Sequence, residues 1–153
     1  MSIDKAREHL SRHALAERII EFEVSSATVA LAAQALGCEE ARIAKTLSFE
    51  RGDGALLVVA AGDARVDNAK FKQRFGMKAR MLSADRVEAL VGHGVGGVCP
   101  FGVNEGVPVY LDESLKRFDI VYPAAGTSAS AVRLTLDELT RASEAEGWVD
   151  VTK

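Results

Sequence analysis

The stretch Lys45-Thr-Leu-Ser-Phe-Glu-Arg-Gly-Asp-Gly-Ala-Leu-Leu-Val-Val-Ala60 decides the architecture. Lys45 to Phe49 alternates at period two, Arg51-Gly-Asp-Gly54 suits a tight turn, and Ala55 to Ala60 is an apolar run of strand length. Together they predict a β-hairpin with a glycine-rich turn. Before it, Val29 to Leu36 has the apolar periodicity of a helix, with N-cap candidates in Ser25-Ser-Ala-Thr28 and a stop at Gly37. Helical character resumes over Glu39 to Ile43. Further upstream, Leu10, Ala14, Leu15, Ile19 and Phe22 fall at helical spacing, which predicts one amphipathic helix over residues 2–22.

Beyond the hairpin, Val66 to Phe75 reads as a helix closed by Gly76, Met77 to Leu82 as a short strand, and Ser83 as the cap of a helix ending near Gly92. The segment Gly92 to Gly102, rich in glycine and containing Pro100, is a constrained loop. Strands are expected near Val107 to Leu111, Ile120 to Pro123 and Ala131 to Leu134, followed by a helix capped at Thr135-Leu-Asp-Glu138. Helices and strands alternate irregularly around a central hairpin. That order favours an α+β fold with a mixed sheet over a doubly wound one.

At 153 residues, with 48% hydrophobic and 27% charged residues, the protein has the size and balance of a single globular domain. It shows neither the apolar core of a signal peptide nor a run of 18 apolar residues, so a cytoplasmic protein is expected, with Cys38 and Cys99 reduced. Net charge is −3, which leaves a nucleic-acid partner only a local patch. Arg65, Lys70, Lys72, Arg74, Lys78 and Arg80 form one against the single acid Asp67; the plainer reading is a solvated helix face. His9 and His13 are four apart, without an HExxH pattern or an evident third ligand, and are expected on a solvated face with no metal.

The sequence lacks a GxSxG elbow, a P-loop, a CxxC pair and a metal-binding cluster. What remains is a lysine opening a strand, the glycine-rich loop and the small-residue turn Pro123 to Ser130. Such parts suit an acyl or phosphate oxygen held by backbone N–H groups. Ser26-Ala-Thr-Val29, Ala32-Ala-Gln-Ala-Leu-Gly37, Arg42-Ile-Ala-Lys-Thr-Leu47, Gly96-Gly-Val-Cys-Pro-Phe-Gly102 and Ala124-Ala-Gly126 arrive in that order. In this combination, over residues 20–145, the sequence resembles the YbaK/ProX family, free-standing relatives of the editing domain inserted in bacterial prolyl-tRNA synthetase.

The resemblance implies a curled mixed sheet flanked by helices, and hydrolysis of the ester joining a wrong, small amino acid to tRNA, without cofactor or metal. Lys45 matches the family's functional lysine, and Gly96, Gly97 and Gly102 match its glycine loop. On this likeness Lys45, Gly97 and Gly102 are expected to be catalytic. Thr46, Gly96, Phe101, Ala125 and Gly126 are expected to bind substrate, and Lys70, Lys72 and Arg74 to contact tRNA. Cys99 sits in the loop, but only His93 is near enough in sequence to serve as its base, so covalent catalysis is not expected. The partner implied is mischarged aminoacyl-tRNA; whether a synthetase joins it, and which amino acid is removed, stays open. The alternative is a binding module of the same fold that recognises aminoacyl-tRNA, a nucleotide or a synthetase without catalysis.

Overall fold

The computed structural model describes residues 2–23 and 28–153. The hairpin forms as its sequence demands: β2 (Ile43–Arg51) and β3 (Gly54–Ala61) pair antiparallel from Ala44–Ala61 to Arg51–Gly54. Parallel neighbours flank it, β5 (Ile120–Pro123) against β2 and β4 (Val109–Asp112) against β3. With β7 (Leu134–Thr135) and β8 (Gly147–Val149) on the outside, the six-stranded order is β7-β5-β2-β3-β4-β8. A two-stranded sheet joins β1 (Ile19–Glu21) to β6 (Ser130–Val132). The mixed α+β sheet is therefore as expected.

Strand alternation divides the interior into two cores. Leu47, Phe49, Leu56 and Val58 face α3 (Asn68–Phe75), whose Phe71 and Phe75 complete an aromatic cluster. On the other face Ala44, Leu57 and Val59 join the larger core with Val87 and Val91 of α4 (Ala84–Val91) and Leu139 of α5 (Leu136–Ala142). Asp67 caps α3, and Thr135 with Glu138 forms a reciprocal capping box on α5.

Four expectations change. The helix expected over residues 2–22 ends as α1 (Ser2–Ser11); Ala14 takes φ +60°, and residues 19–21 become β1, because their backbone pairs with residues 130–132. Residues 40–42 form only a 3-10 turn. Met77 to Leu82 makes no strand, only a bridge from Met81 to Phe49. His9 is not solvated: it is buried in the large core's rim, 5.8 Å from the Phe101 ring. Thr28 caps α2 (Val29–Leu36), whose Gly37 is left-handed; Ser25, Ser26 and Ala27 lie outside the described residues.

Candidate functional site

A cleft of about 390 Å³ opens between α2, the edge of β2, the start of α4, the turn at Val95–Gly96 and the β5–β6 connection. Its position follows from an interruption in strand pairing. β5 accompanies β2 only at Ile43 and Ala44. Residues 80–82 take over further along, where Leu82 N–H donates to the Ser48 carbonyl and Glu50 N–H to the Arg80 carbonyl. In a strand the polar groups of alternate residues point to the same edge. Thr46, between Ala44 and Ser48, therefore turns its backbone amide and carbonyl into the gap, with no strand partner on that edge among the described residues. Its Oγ1 is also buried without a hydrogen-bond partner there.

Two small-residue loops close the cleft. Gly97 N–H donates to the Gly94 carbonyl at 3.0 Å, and Gly96 at φ +88° takes the position where a type II turn favours glycine. Gly97 lies directly against the second loop: a Cβ on it would stand 2.4 Å from the Gly126 carbonyl oxygen and 2.7 Å from Thr127 Cα. That second loop is clamped by Ser130, whose Oγ accepts from the Ala125 and Thr127 amides at 3.2 and 3.3 Å and donates to the Thr127 carbonyl at 3.1 Å. Sequence reasoning missed this clamp, although a serine a few residues after a Gly-Thr turn is a signal for such capping.

Lys45 borders the cleft, on the opposite face of β2 from Thr46. Its ammonium donates to the carbonyls of Gly62, at 3.4 Å, and Ala64. Burial holds it below the usual lysine range, partly offset by Asp63, while Arg65 adds to the lowering. Asp63 in turn is ionised below the ordinary carboxylate range by its hydrogen bonds from Arg117.

Of the expected substrate and catalytic residues, the structure brings Lys45, Thr46 and Gly96 to the cleft, with Gly97, Ala125 and Gly126 packed behind it. Gly102 and Phe101 are elsewhere. Gly102 sits at φ +67° with no room for a Cβ beside the Lys5 carbonyl of α1, and Phe101 is fully buried, so both support the loop from behind. Cys99 is buried too; its thiol donates to the Phe101 carbonyl at 3.5 Å, and burial pushes its pKa up to about 12. A neutral, enclosed thiol cannot attack a substrate in the cleft.

Across the described residues that line the cleft there is no Asp, Glu or His. The basic patch stands on α3, across the sheet from the cleft. Lys70 is engaged there by Asp150 at 3.0 Å and the Thr152 carbonyl at 2.8 Å, and Arg74 lies over the Phe75 and Tyr110 rings. Lys72 is exposed.

The family model for the aminoacyl-tRNA editing domain matches residues 23–142, which include every wall of this cleft. The protein belongs to the aminoacyl-tRNA editing domain family. This editing domain is 50% identical over 154 residues to YwhH of Bacillus subtilis (strain 168), described as uncharacterized, covering 100% of the present sequence and 98% of that one. Over 104 residues it is 31% identical to EbsC of Enterococcus faecalis (strain ATCC 700802 / V583), provisionally named a Cys-tRNA(Pro)/Cys-tRNA(Cys) deacylase, covering 67% and 63% of the two sequences. A crystal structure provisionally described as a trans-editing enzyme for prolyl tRNA synthetase superposes on the editing domain with a TM-score of 0.89 at 32% identity, covering 99% and 97%. That of hypothetical protein APE2540 does so at 0.86 and 30%, covering 97% and 99%. No helix among the described residues is long and apolar enough to cross a membrane.

Proposed function

We propose that this protein is a trans-acting deacylase that hydrolyses the ester between a small amino acid and the terminal adenosine of a mischarged tRNA. One observation carries the reading: the cleft offers the backbone polar groups of Thr46, without a strand partner among the described residues, and a nearby ammonium, but no carboxylate or imidazole among its described lining residues. A site with hydrogen-bond donors and no side-chain base suits a reaction whose substrate brings its own proton acceptor.

The backbone carbonyl of Thr46 would accept from the α-ammonium of the aminoacyl group, and the Thr46 and Gly96 N–H groups would face the ester carbonyl oxygen. Lys45 would exchange its Gly62 and Ala64 carbonyls for an oxygen of the terminal nucleotide. Water then adds to the carbonyl carbon, its proton passing to the ribose hydroxyl beside the ester as that hydroxyl hands its own proton on towards the leaving oxygen. The carbon–oxygen bond to the ribose breaks, and the leaving oxygen takes a proton back. Free amino acid and intact tRNA result.

An oxyanion donor of this kind contributes about 3–4 kcal/mol to the barrier reduction. The walls supplied by Val29, Ala32, Val87 and Ala124 leave space for a small side chain. Such an activity fills a physical need, because one methylene lets a synthetase discriminate by only about 1–3 kcal/mol. Lys72 and Arg74, with Lys70 where it is not engaged, would contact the tRNA backbone beyond the acceptor end.

The test of the mechanism is hydrolysis of a mischarged tRNA whose terminal adenosine lacks the hydroxyl beside the ester. Cleavage of the intact substrate with at least 100-fold slower cleavage of the deoxy substrate supports substrate assistance. Equal rates refute it, and no cleavage of either refutes deacylation itself.

A further inference from the structure

A second constellation lies away from the cleft, where the end of α1 meets the turn after α5. His9, His13 and Glu144 converge there, their ligand-capable atoms all within 4.8 Å of one another. We propose that these three residues bind a divalent transition-metal ion of the zinc class, clasping the N-terminal helix to the C-terminal segment.

The donor set is the first argument. Two imidazoles and one carboxylate are the ligands that zinc, nickel and cobalt take in three-residue protein sites. Spacing is the second. The Nε2 atoms of His9 and His13 each lie 3.2 Å from the same oxygen, Glu144 Oε2. Bonds of about 2.0–2.2 Å in a tetrahedral arrangement put neighbouring ligand atoms about 3.3–3.5 Å apart. The two contacts to Glu144 are thus close to ligand–ligand separations, and an ion enters once His9 Nε2 gives up the Ala142 carbonyl, 2.7 Å away.

Pre-organisation is the third. The His9 ring is buried and stacked on the His13 ring, centroids 5.4 Å apart, and it also touches Phe101. Glu144 is one of two non-glycine residues with positive φ among the described residues, and the other, Ala14, directly follows His13. Both backbone excursions thus flank the cluster.

In the metal-free protein His9 Nε2 lies 2.7 Å from the Ala142 carbonyl, to which its N–H donates. Loading replaces that proton, and the one His13 Nε2 directs at Glu144, by the metal; each displaced proton goes to its ring's Nδ1 or to solvent, and no redox change occurs. The fourth position faces a recess of about 260 Å³ lined by Arg12, Gly102 and Glu146, from which water can complete the shell. Arg12 opposes a cation there and Glu146 offsets it.

The test uses the full-length, tag-free protein stripped with EDTA. Titration with ZnCl2 followed by calorimetry, and with CoCl2 followed by absorbance, is expected to show one ion per molecule and the intense visible bands of tetrahedral cobalt. His13→Ala and Glu144→Gln, both at partly exposed positions, are each expected to weaken binding by more than about tenfold, while their metal-free melting curves confirm a folded protein. Absence of saturable binding by the wild type overturns the proposal. So does wild-type affinity in the two variants, which would move the ion to another group such as Cys38. The readout is independent of tRNA, so it stands or falls apart from the deacylase reading.

Discussion

Adding one methyl group at Gly97 tests how the cleft is built. The φ of Gly97 lies outside the left-handed region, so alanine is resisted there by contact alone. Its Cβ would stand 2.4 Å from the Gly126 carbonyl oxygen, 2.6 Å from that carbonyl carbon and 2.7 Å from Thr127 Cα, all backbone atoms with no rotamer to change. Ordinary contact begins at 3.4 Å, so the two loops must separate by about 1 Å, the scale at which misplacement costs about 100-fold in rate. Overpacking of this kind costs about 1–3 kcal/mol, or about 2–12 °C in melting temperature for a protein of this size. Circular-dichroism melting combined with single-turnover deacylation measures both. Gly147→Ala, where a Cβ meets nothing within 4 Å, is the control. A Gly97→Ala protein that melts and hydrolyses like wild type would refute the packing of these loops or its importance to the site.

Cys99→Ser is expected to keep most of the hydrolytic activity, and iodoacetamide at pH 8 is expected to leave native Cys99 unmodified, because its thiol pKa is about 12; peptide mass spectrometry reads the labelling. Neutralising Lys70, Lys72 and Arg74 together should weaken tRNA binding and flatten its salt dependence by about 0.7–0.9 in logarithmic slope per lost phosphate contact; an unchanged slope, measured by filter binding, removes the patch from the interface. Thr135→Ala removes the capping box of α5 and should cost about 1 kcal/mol by urea denaturation. His93 is held below its ordinary range, first by burial. On acidification the unfolded state therefore takes up the proton first, and stability falls from about pH 6.5 downward until the folded imidazole titrates as well. Melting temperatures from pH 7.5 to 5 should show that fall, and a His93→Gln protein with the same slope would exclude His93 as its source.

Local signals made the hairpin legible: alternation in Lys45 to Phe49, glycines at 52 and 54 and the apolar run behind them leave little else for those residues to form. Capping chemistry placed α2, α3 and α5 in the same way. After Ser11 the structure departs from the helical spacing of Leu15, Ile19 and Phe22, because that spacing is silent about a partner strand more than a hundred residues away. β8 escaped for a related reason, since three residues gain their strand character from pairing with β4.

At the site, residue types revealed the glycine loop but not its orientation. Only the packing of α1 turns Gly102 away from the cleft while Gly96 faces it. The free edge at Thr46 is a property of where β5 ends, and Glu144 reaches His13 across 131 positions; neither is written in any local pattern.

The most direct test of the deacylase reading compares wild type and Lys45→Ala on a panel of tRNAs mischarged with alanine, cysteine, serine or threonine, scored by release of radiolabelled amino acid. Among the described residues the Lys45 ammonium hydrogen-bonds to carbonyls of one loop, those of Gly62 and Ala64, so the variant should remain folded. The expected result is hydrolysis of at least one member by wild type and a loss of 100-fold or more in the variant. Equal hydrolysis by both proteins would contradict the role of Lys45, and a wild type that cleaves no member would contradict the deacylase reading and favour a binding module.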